Sequence, residues 1–188
     1  FTVEMLSSRI KRALDRRAAL LPVWQLAAQG KPVEAIRACT TAALTSPRYA
    51  LDFLRLKAEL HVSSGEHAEA HAIYRDVLAE RPLGWAGLGL GRTMLALGQI
   101  EEARDHLEAL VQANPRLMAA YDLLARCHEK LGAAPAAQKV LEDAVSISPH
   151  VVRRLRKLGE VALENGDALA AEKSFKQVVS KARYSEFR

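Results

Sequence analysis

Residues 121–149 read YDLLARCHEKLGAAPAAQKVLEDAVSISP, and the spacing of the small residues in this stretch decides the fold. Ala137 follows Gly132 by five residues, and Pro149 follows Ala137 by twelve. The same marks recur along the chain, with glycine at Gly30, Gly65, Gly98 and Gly166, alanine at Ala35, Ala70, Ala103 and Ala171, and proline at Pro47, Pro82 and Pro115. Successive alanines are 33 to 35 residues apart, which is a period typical of stacked helix–turn–helix units.

Each mark has a physical role in a helical hairpin. Glycine adopts the left-handed conformation that ends the first helix at low cost. The alanine lies in the second helix, where a larger side chain would push the two backbones apart. Proline follows the second helix because it cannot donate the next helical hydrogen bond. A larger side chain follows each alanine by four residues, on the same helix face, at Cys39, Tyr74, Leu107, Leu141 and Phe175.

Composition supports an all-α chain. The sequence is 49% hydrophobic but only 5% aromatic, and its apolar residues are mainly the strong helix formers alanine and leucine. No apolar run is long enough for a membrane span. Helices are expected at 2–20, 22–28, 32–46, 50–63, 67–80, 84–97, 100–113, 117–131, 135–147, 151–164 and 168–182. Pro22 predicts a kink or break near Leu21.

Three segments carry a family resemblance: Tyr121-x-x-Leu124-Ala125, Leu155-x-x-Leu158-Gly159 and Leu90-Gly91, each followed by the recurring marks. The chain resembles the tetratricopeptide repeat (TPR) family. The resemblance implies a right-handed α-solenoid over residues 18–182, with units at about 16–49, 51–83, 84–117, 118–151 and 152–182. It leaves residues 183–188 as a tail. The sequence departs from the family at Lys57, which replaces an apolar residue, and at Gly87, which replaces an aromatic one.

The resemblance also implies a function. TPR proteins are non-catalytic scaffolds that bind other proteins in a concave groove lined by their first helices. The matching positions here are Arg55, Glu59, Trp85, Leu88, Arg92, Asp122, Arg126, Glu129, Arg153, Arg156, Lys157 and Glu160, joined by Trp24 if the first unit is regular. Several are arginines, which suit carboxylate recognition, so the groove is expected to take a peptide of acidic character. The alternative is that these side chains are only solvated.

The first 17 residues read FTVEMLSSRIKRALDRR and form a predicted amphipathic helix, with Thr2 as its N-cap. Their pattern is similar to the last helix of a bacterial response-regulator receiver domain. That resemblance implies the adaptor or output region of a cytoplasmic two-component response regulator. The alternative is a capping helix of the solenoid. Both interpretations leave room for a homodimer through this helix or through the last repeat.

The formal charge is +5, and basic residues collect near both ends of the chain. They are Arg9, Lys11, Arg12, Arg16 and Arg17 at one end, and Arg153, Arg154, Arg156 and Lys157 at the other. The simplest interpretation is solvated helix faces. A more specific interpretation is that these residues bind an acidic partner, and binding of nucleic acid is a weaker alternative. No membrane partner is expected.

Catalytic and metal chemistry find little support in the sequence. Residues 86–93 read AGLGLGRT and resemble a phosphate-binding loop, but they lie inside a predicted helix, where small residues allow close packing. His67 and His71 have a metal-ligand spacing without an evident third ligand. Cys39 and Cys127 occupy packing positions, so buried, inert thiols are expected. We therefore expect no enzymatic activity, no cofactor and no metal site.

Overall fold

A computed structural model of the protein describes residues 2–182. Within that range it has α-helices, one short 3₁₀ turn at Pro47–Tyr49 and no strand, so the all-α prediction is confirmed. The helices are α1 (Val3–Ala28), α2 (Pro32–Thr45), α3 (Ala50–Ser63), α4 (His67–Glu80), α5 (Gly84–Ala96), α6 (Ile100–Ala113), α7 (Met118–Lys130), α8 (Ala134–Ile147), α9 (Val152–Glu164) and α10 (Ala168–Ala182). The predicted tail, 183–188, lies outside the described residues.

The first helix differs from its prediction. The break expected near Leu21 is wrong, because α1 runs without interruption through Pro22. Proline removes one helical hydrogen bond there, but Leu20 and Val23 on either side are buried in the core and hold both halves in place. Thr2 caps the helix as predicted, its hydroxyl oxygen accepting a bond of 3.3 Å from the Met5 N–H.

The hairpin turns follow the glycine prediction. Gly132 has a φ of 70°, and its N–H donates to the Glu129 carbonyl at 3.0 Å. The next N–H, of Ala133, reaches back to the His128 carbonyl at 2.8 Å. This pair of bonds is the standard glycine ending of an α-helix. The other four repeat glycines share the conformation, so all five predicted hairpins turn in the same way.

The predicted contact face of the second helices is buried. Each of the five repeat alanines is at most 1% exposed. The larger residues four positions later are also buried in four hairpins, while Phe175 is half-buried. Small and large side chains thus alternate along the seam between paired helices, as the sequence predicts.

The described chain forms two compact units, one ending at Ala86 and one beginning at Gly87. The core of the N-terminal unit joins α1, α2 and α3 through Leu20, Val23, Ala35, Cys39, Phe53 and Leu60. An ion pair of 2.6 Å between Arg16 and Asp52 also links α1 to α3. Buried clusters of the C-terminal unit include one centred on α6 and α7 and one on α7, α8 and α9.

Candidate functional site: a charged pocket on the first helices of the C-terminal unit

The C-terminal unit carries a pocket of about 380 Å³ between α7 and α9. These are the first helices of two successive hairpins. Seven of the predicted groove residues line the pocket: Asp122, Arg126, Glu129, Arg153, Arg156, Lys157 and Glu160. Its remaining lining is Ala125, Leu141, Val151 and Arg154. The structure therefore brings together the part of the predicted site that lies on α7 and α9.

Ion pairs neutralise every acidic side chain of this pocket. Asp122 on α7 accepts two bonds from Arg154 on α9, at 2.8 Å from Nε and 2.9 Å from Nη2. Glu129 pairs with Lys157 at 2.5 Å, again between α7 and α9. Glu160 pairs with Arg156 at 3.3 Å along α9. The first two pairs fix the two helices against each other and so set the shape of the pocket.

Within the described part of the chain, two cations of the pocket have no counter-ion. Arg126 and Arg153 are both exposed, and neither makes an ion pair with any other residue of the range 2–182. One comes from α7 and the other from α9. Guanidinium groups present several donors in a fixed plane, which suits them to carboxylate and phosphate oxygens. The open pocket is therefore electropositive.

Arg154 is the pocket residue that the sequence interpretation missed. The simplest interpretation of the basic cluster at 153–157 was a solvated helix face, yet Arg154 is only 6% exposed. The signal was its place on α9, four residues before the buried Leu158 and therefore on the same helix face. The charge of Arg154 argued against burial, because a buried arginine is rare unless a carboxylate pairs with it.

The predicted groove residues of the N-terminal unit form a separate contact group. Arg55 pairs with Glu59 at 2.9 Å, and its guanidinium lies 5.5 Å from the centre of the Trp85 ring. Trp85 also meets Tyr74 edge to face at 6.2 Å. The Trp85 ring therefore contacts side chains of its own unit. Trp24, on α1, is 41% exposed.

Two predicted groove residues on α5 do not line the pocket between α7 and α9. Leu88 packs against the buried cluster of α6 and α7, so its side chain supports the core. Arg92 is exposed and has no ion-pair partner in the described part of the chain. It remains a candidate for contacts with a ligand that extends along the first helices.

The glycine-rich segment is a packing feature, as predicted. It lies within α5, where a Cβ at Gly87 would be 2.8 Å from Leu110 Cδ1 and one at Gly91 would be 2.7 Å from Leu107 Cδ2. These glycines let α5 approach α6 closely.

Neither thiol lies at a reactive surface. Both cysteines are buried, as predicted, and burial raises the pKa of Cys39 and of Cys127 to about 11. A thiol with so high a pKa is almost wholly protonated at neutral pH, and it is the thiolate that reacts. Among residues 2–182 no three histidine, cysteine or acidic side chains gather as metal ligands would.

A family model of the tetratricopeptide repeat matches residues 63–127 and 94–158, which together span just over half of the chain. The chain belongs to the tetratricopeptide repeat family. The pocket between α7 and α9 thus lies on the first helices of consecutive TPR units. No curated protein matches the sequence significantly. Across residues 2–182, no helix has the length and apolar character needed to cross a membrane.

Solved structures show the same TPR solenoid fold. A MamA chain from Desulfovibrio magneticus RS-1 has a TM-score of 0.74 at 22% identity, covering 91% of this chain and 97% of that one. A thermophilic TPR protein from Thermus thermophilus has a TM-score of 0.67 at 19% identity, with coverages of 89% and 92%. A TPR protein from Parabacteroides merdae has a TM-score of 0.73 at 16% identity, with coverages of 89% and 67%. At these identities the likeness shows the fold alone.

Proposed function

We propose that this TPR chain is a non-catalytic scaffold that binds a polypeptide segment of acidic character on the first helices of its repeats. The observation that carries the proposal is the pair of arginines, Arg126 and Arg153, which line one pocket and have no counter-ion among residues 2–182. An acidic side chain of a partner would supply the missing charge. Membership of a family of protein-interaction scaffolds supports a polypeptide ligand.

The pocket also offers apolar surface beside its charges. Val151, which is 39% exposed, lines it together with the ion-paired residues, whereas the other two apolar lining residues, Ala125 and Leu141, are buried. A peptide can use such a surface for the carbon atoms of its side chains while its carboxylates meet the arginines. Electrostatic attraction then guides encounter, and burial of apolar area adds to affinity.

Binding of short peptides of degenerate sequence tests this proposal. Peptides rich in aspartate and glutamate are compared by fluorescence anisotropy with matched peptides rich in asparagine and glutamine. We expect the acidic set to bind more tightly, and the Arg126→Glu/Arg153→Glu variant to lose that preference. An Arg116→Glu/Lys130→Glu variant changes the net charge equally at exposed positions outside the pocket, and it should keep the preference. Equal loss in both variants would point to overall charge and contradict the proposed site.

We further propose that the chain is the adaptor or output region of a cytoplasmic bacterial response regulator. The support is an apolar face on α1, where Leu6, Ile10 and Leu14 each expose more than half of their surface. In a receiver domain this face of the last helix would be covered by the central sheet. The coding sequence upstream of Phe1 tests the idea, with an α/β receiver ending in Lys-Pro as the expected result. Any other fold there would contradict it.

The same apolar face favours a second candidate, self-association through α1. Light scattering at two protein concentrations separates the two possibilities. A mass that rises with concentration in the native chain, and stays constant in a Leu6→Gln/Ile10→Gln variant, would favour pairing of copies. A constant monomer mass in the native chain and in the variant would instead favour packing of this face against another domain.

A further inference from the structure

We infer that the pocket between α7 and α9 receives a dianionic phosphoryl group, carried on a phosphorylated side chain of the partner polypeptide. This inference rests on the proposed function and names the anchor of the acidic segment. It follows from the charge balance of the pocket and from one buried donor that has no acceptor among the described residues.

The charge balance favours a dianion over a carboxylate. Five cationic and three anionic side chains line the pocket. The three anions are each taken up by one cation, which leaves the guanidinium groups of Arg126 and Arg153. A single carboxylate would neutralise only one of them. A phosphomonoester carries a charge of about −1.5 to −2 at neutral pH and has three acceptor oxygens, so its charge matches that of the two arginines.

The buried donor belongs to Arg154. Its Nε and Nη2 are bound by Asp122, but Nη1 is shielded from solvent and has no hydrogen-bond partner in the described chain. Buried charged donors are rarely left unsatisfied in a resting protein. Arg154 lines the pocket, so a third phosphoryl oxygen that reaches its guanidinium would satisfy this donor.

The existing ion pairs keep this arrangement in place. Asp122 holds the plane of Arg154, and Lys157 is tied to Glu129, so neither cation has to be ordered when the ligand binds. Preorganised donors of this kind raise affinity because little conformational freedom is lost. Arg126 and Arg153 are exposed and line the same pocket, so they would meet the remaining oxygens of the ligand.

The test compares three sets of short degenerate peptides whose central residue is fixed as serine, glutamate or phosphoserine. Fluorescence anisotropy measures their binding to the intact chain. We expect the phosphoserine set to bind about tenfold more tightly than the glutamate set. The Arg126→Gln/Arg153→Gln variant should bind both sets alike, whereas Arg116→Gln/Lys130→Gln should keep the native preference. Thermal unfolding checks that both variants are folded.

Each other outcome has a definite meaning. If glutamate and phosphoserine peptides bind equally, and both need Arg126 and Arg153, the phosphoryl anchor is overturned while the acidic-peptide proposal stands. If phosphoserine is preferred but the preference survives loss of both arginines, the assigned pocket is wrong. Inorganic phosphate that competes as well as the phosphopeptide would make the site one for the free anion and overturn the phosphopeptide assignment. Binding of a single-stranded oligonucleotide alone would overturn both proposals.

Discussion

The ion pair between Asp122 and Arg154 shows how single residues set the pocket. Arg154 is nearly buried, whereas the Asp122 side chain is 49% exposed. Removing one partner of such a pair leaves a desolvated charge behind, which costs more than the pair itself contributes. The exposed pair of Arg156 and Glu160 has no such consequence, because both ends stay in water.

Substitution of Asp122 tests this asymmetry. We expect Asp122→Ala to lower the free energy of unfolding by about 3 kcal/mol, since Arg154 is then buried without its partner. Glu160→Ala should change it by about 0.5 kcal/mol or less. Urea denaturation measures both values. Similar costs for the two substitutions would show that Arg154 is not desolvated in solution.

The close contact between Gly159 and Phe175 gives a second prediction. A Cβ there would lie 2.7 Å from Phe175 Cζ. Alanine in place of a helical glycine normally stabilises by roughly 0.5–1 kcal/mol, but overpacking costs about 1–3 kcal/mol, so we expect Gly159→Ala to destabilise the protein. The Gly159→Ala/Phe175→Leu variant should recover part of the loss in chemical denaturation. A stabilised single variant would mean that the two helices have room to separate.

The environment of a residue could be predicted from the sequence when its role is local. The repeat glycines and alanines act through backbone conformation and close packing, so their spacing alone predicted their environment. Arg154 acts through a partner on another repeat, 32 residues earlier in the chain. Sequence spacing indicated its helix face but not the carboxylate that makes burial possible.

Helices are the scale at which prediction succeeded best. The predicted ends of α2 to α10 agree with the structure to within one residue, because glycine and proline stop signals surround almost every helix. The exception is α1. There the signal from Pro22 was correct for an isolated helix, but the burial of Leu20 and Val23 on both sides outweighs it.

Asp167, before α10, gives a prediction about pH. Its carboxylate accepts bonds from the Ala170 N–H at 3.0 Å and from Gln138 at 2.9 Å. These hydrogen bonds hold the pKa of Asp167 below its usual value, and the bond from Ala170 has the larger effect. A lowered pKa in the folded state means that the stabilisation is present above about pH 4 and is lost as the pH falls through the folded pKa.

We therefore expect Asp167→Asn to lower the melting temperature at pH 7, with a difference from the native protein that shrinks below about pH 4. Scanning calorimetry across this pH range measures it. Asp143→Asn is the control, since the Asp143 carboxylate makes no hydrogen bond to the described residues. A difference for Asp167→Asn that does not change with pH would exclude the carboxylate as the cause.

The molecule as a whole combines a predictable scaffold with a less predictable site. Helical hairpins that cannot bury their own apolar stripes must stack, and the repeat period predicted that stacking. Seven of the predicted groove residues line one pocket on α7 and α9. The sequence did not distinguish side chains that make internal contacts, such as Trp85 with Arg55, from side chains that stay exposed, such as Arg126 and Arg153.

Amide hydrogen exchange of the intact chain, with and without a saturating acidic peptide, shows directly whether a partner binds on the first helices. We predict slower exchange in α7 and α9, where the pocket lies, and unchanged exchange in α8 and α10. Protection confined to α8 and α10, or to α1, would exclude binding at this pocket.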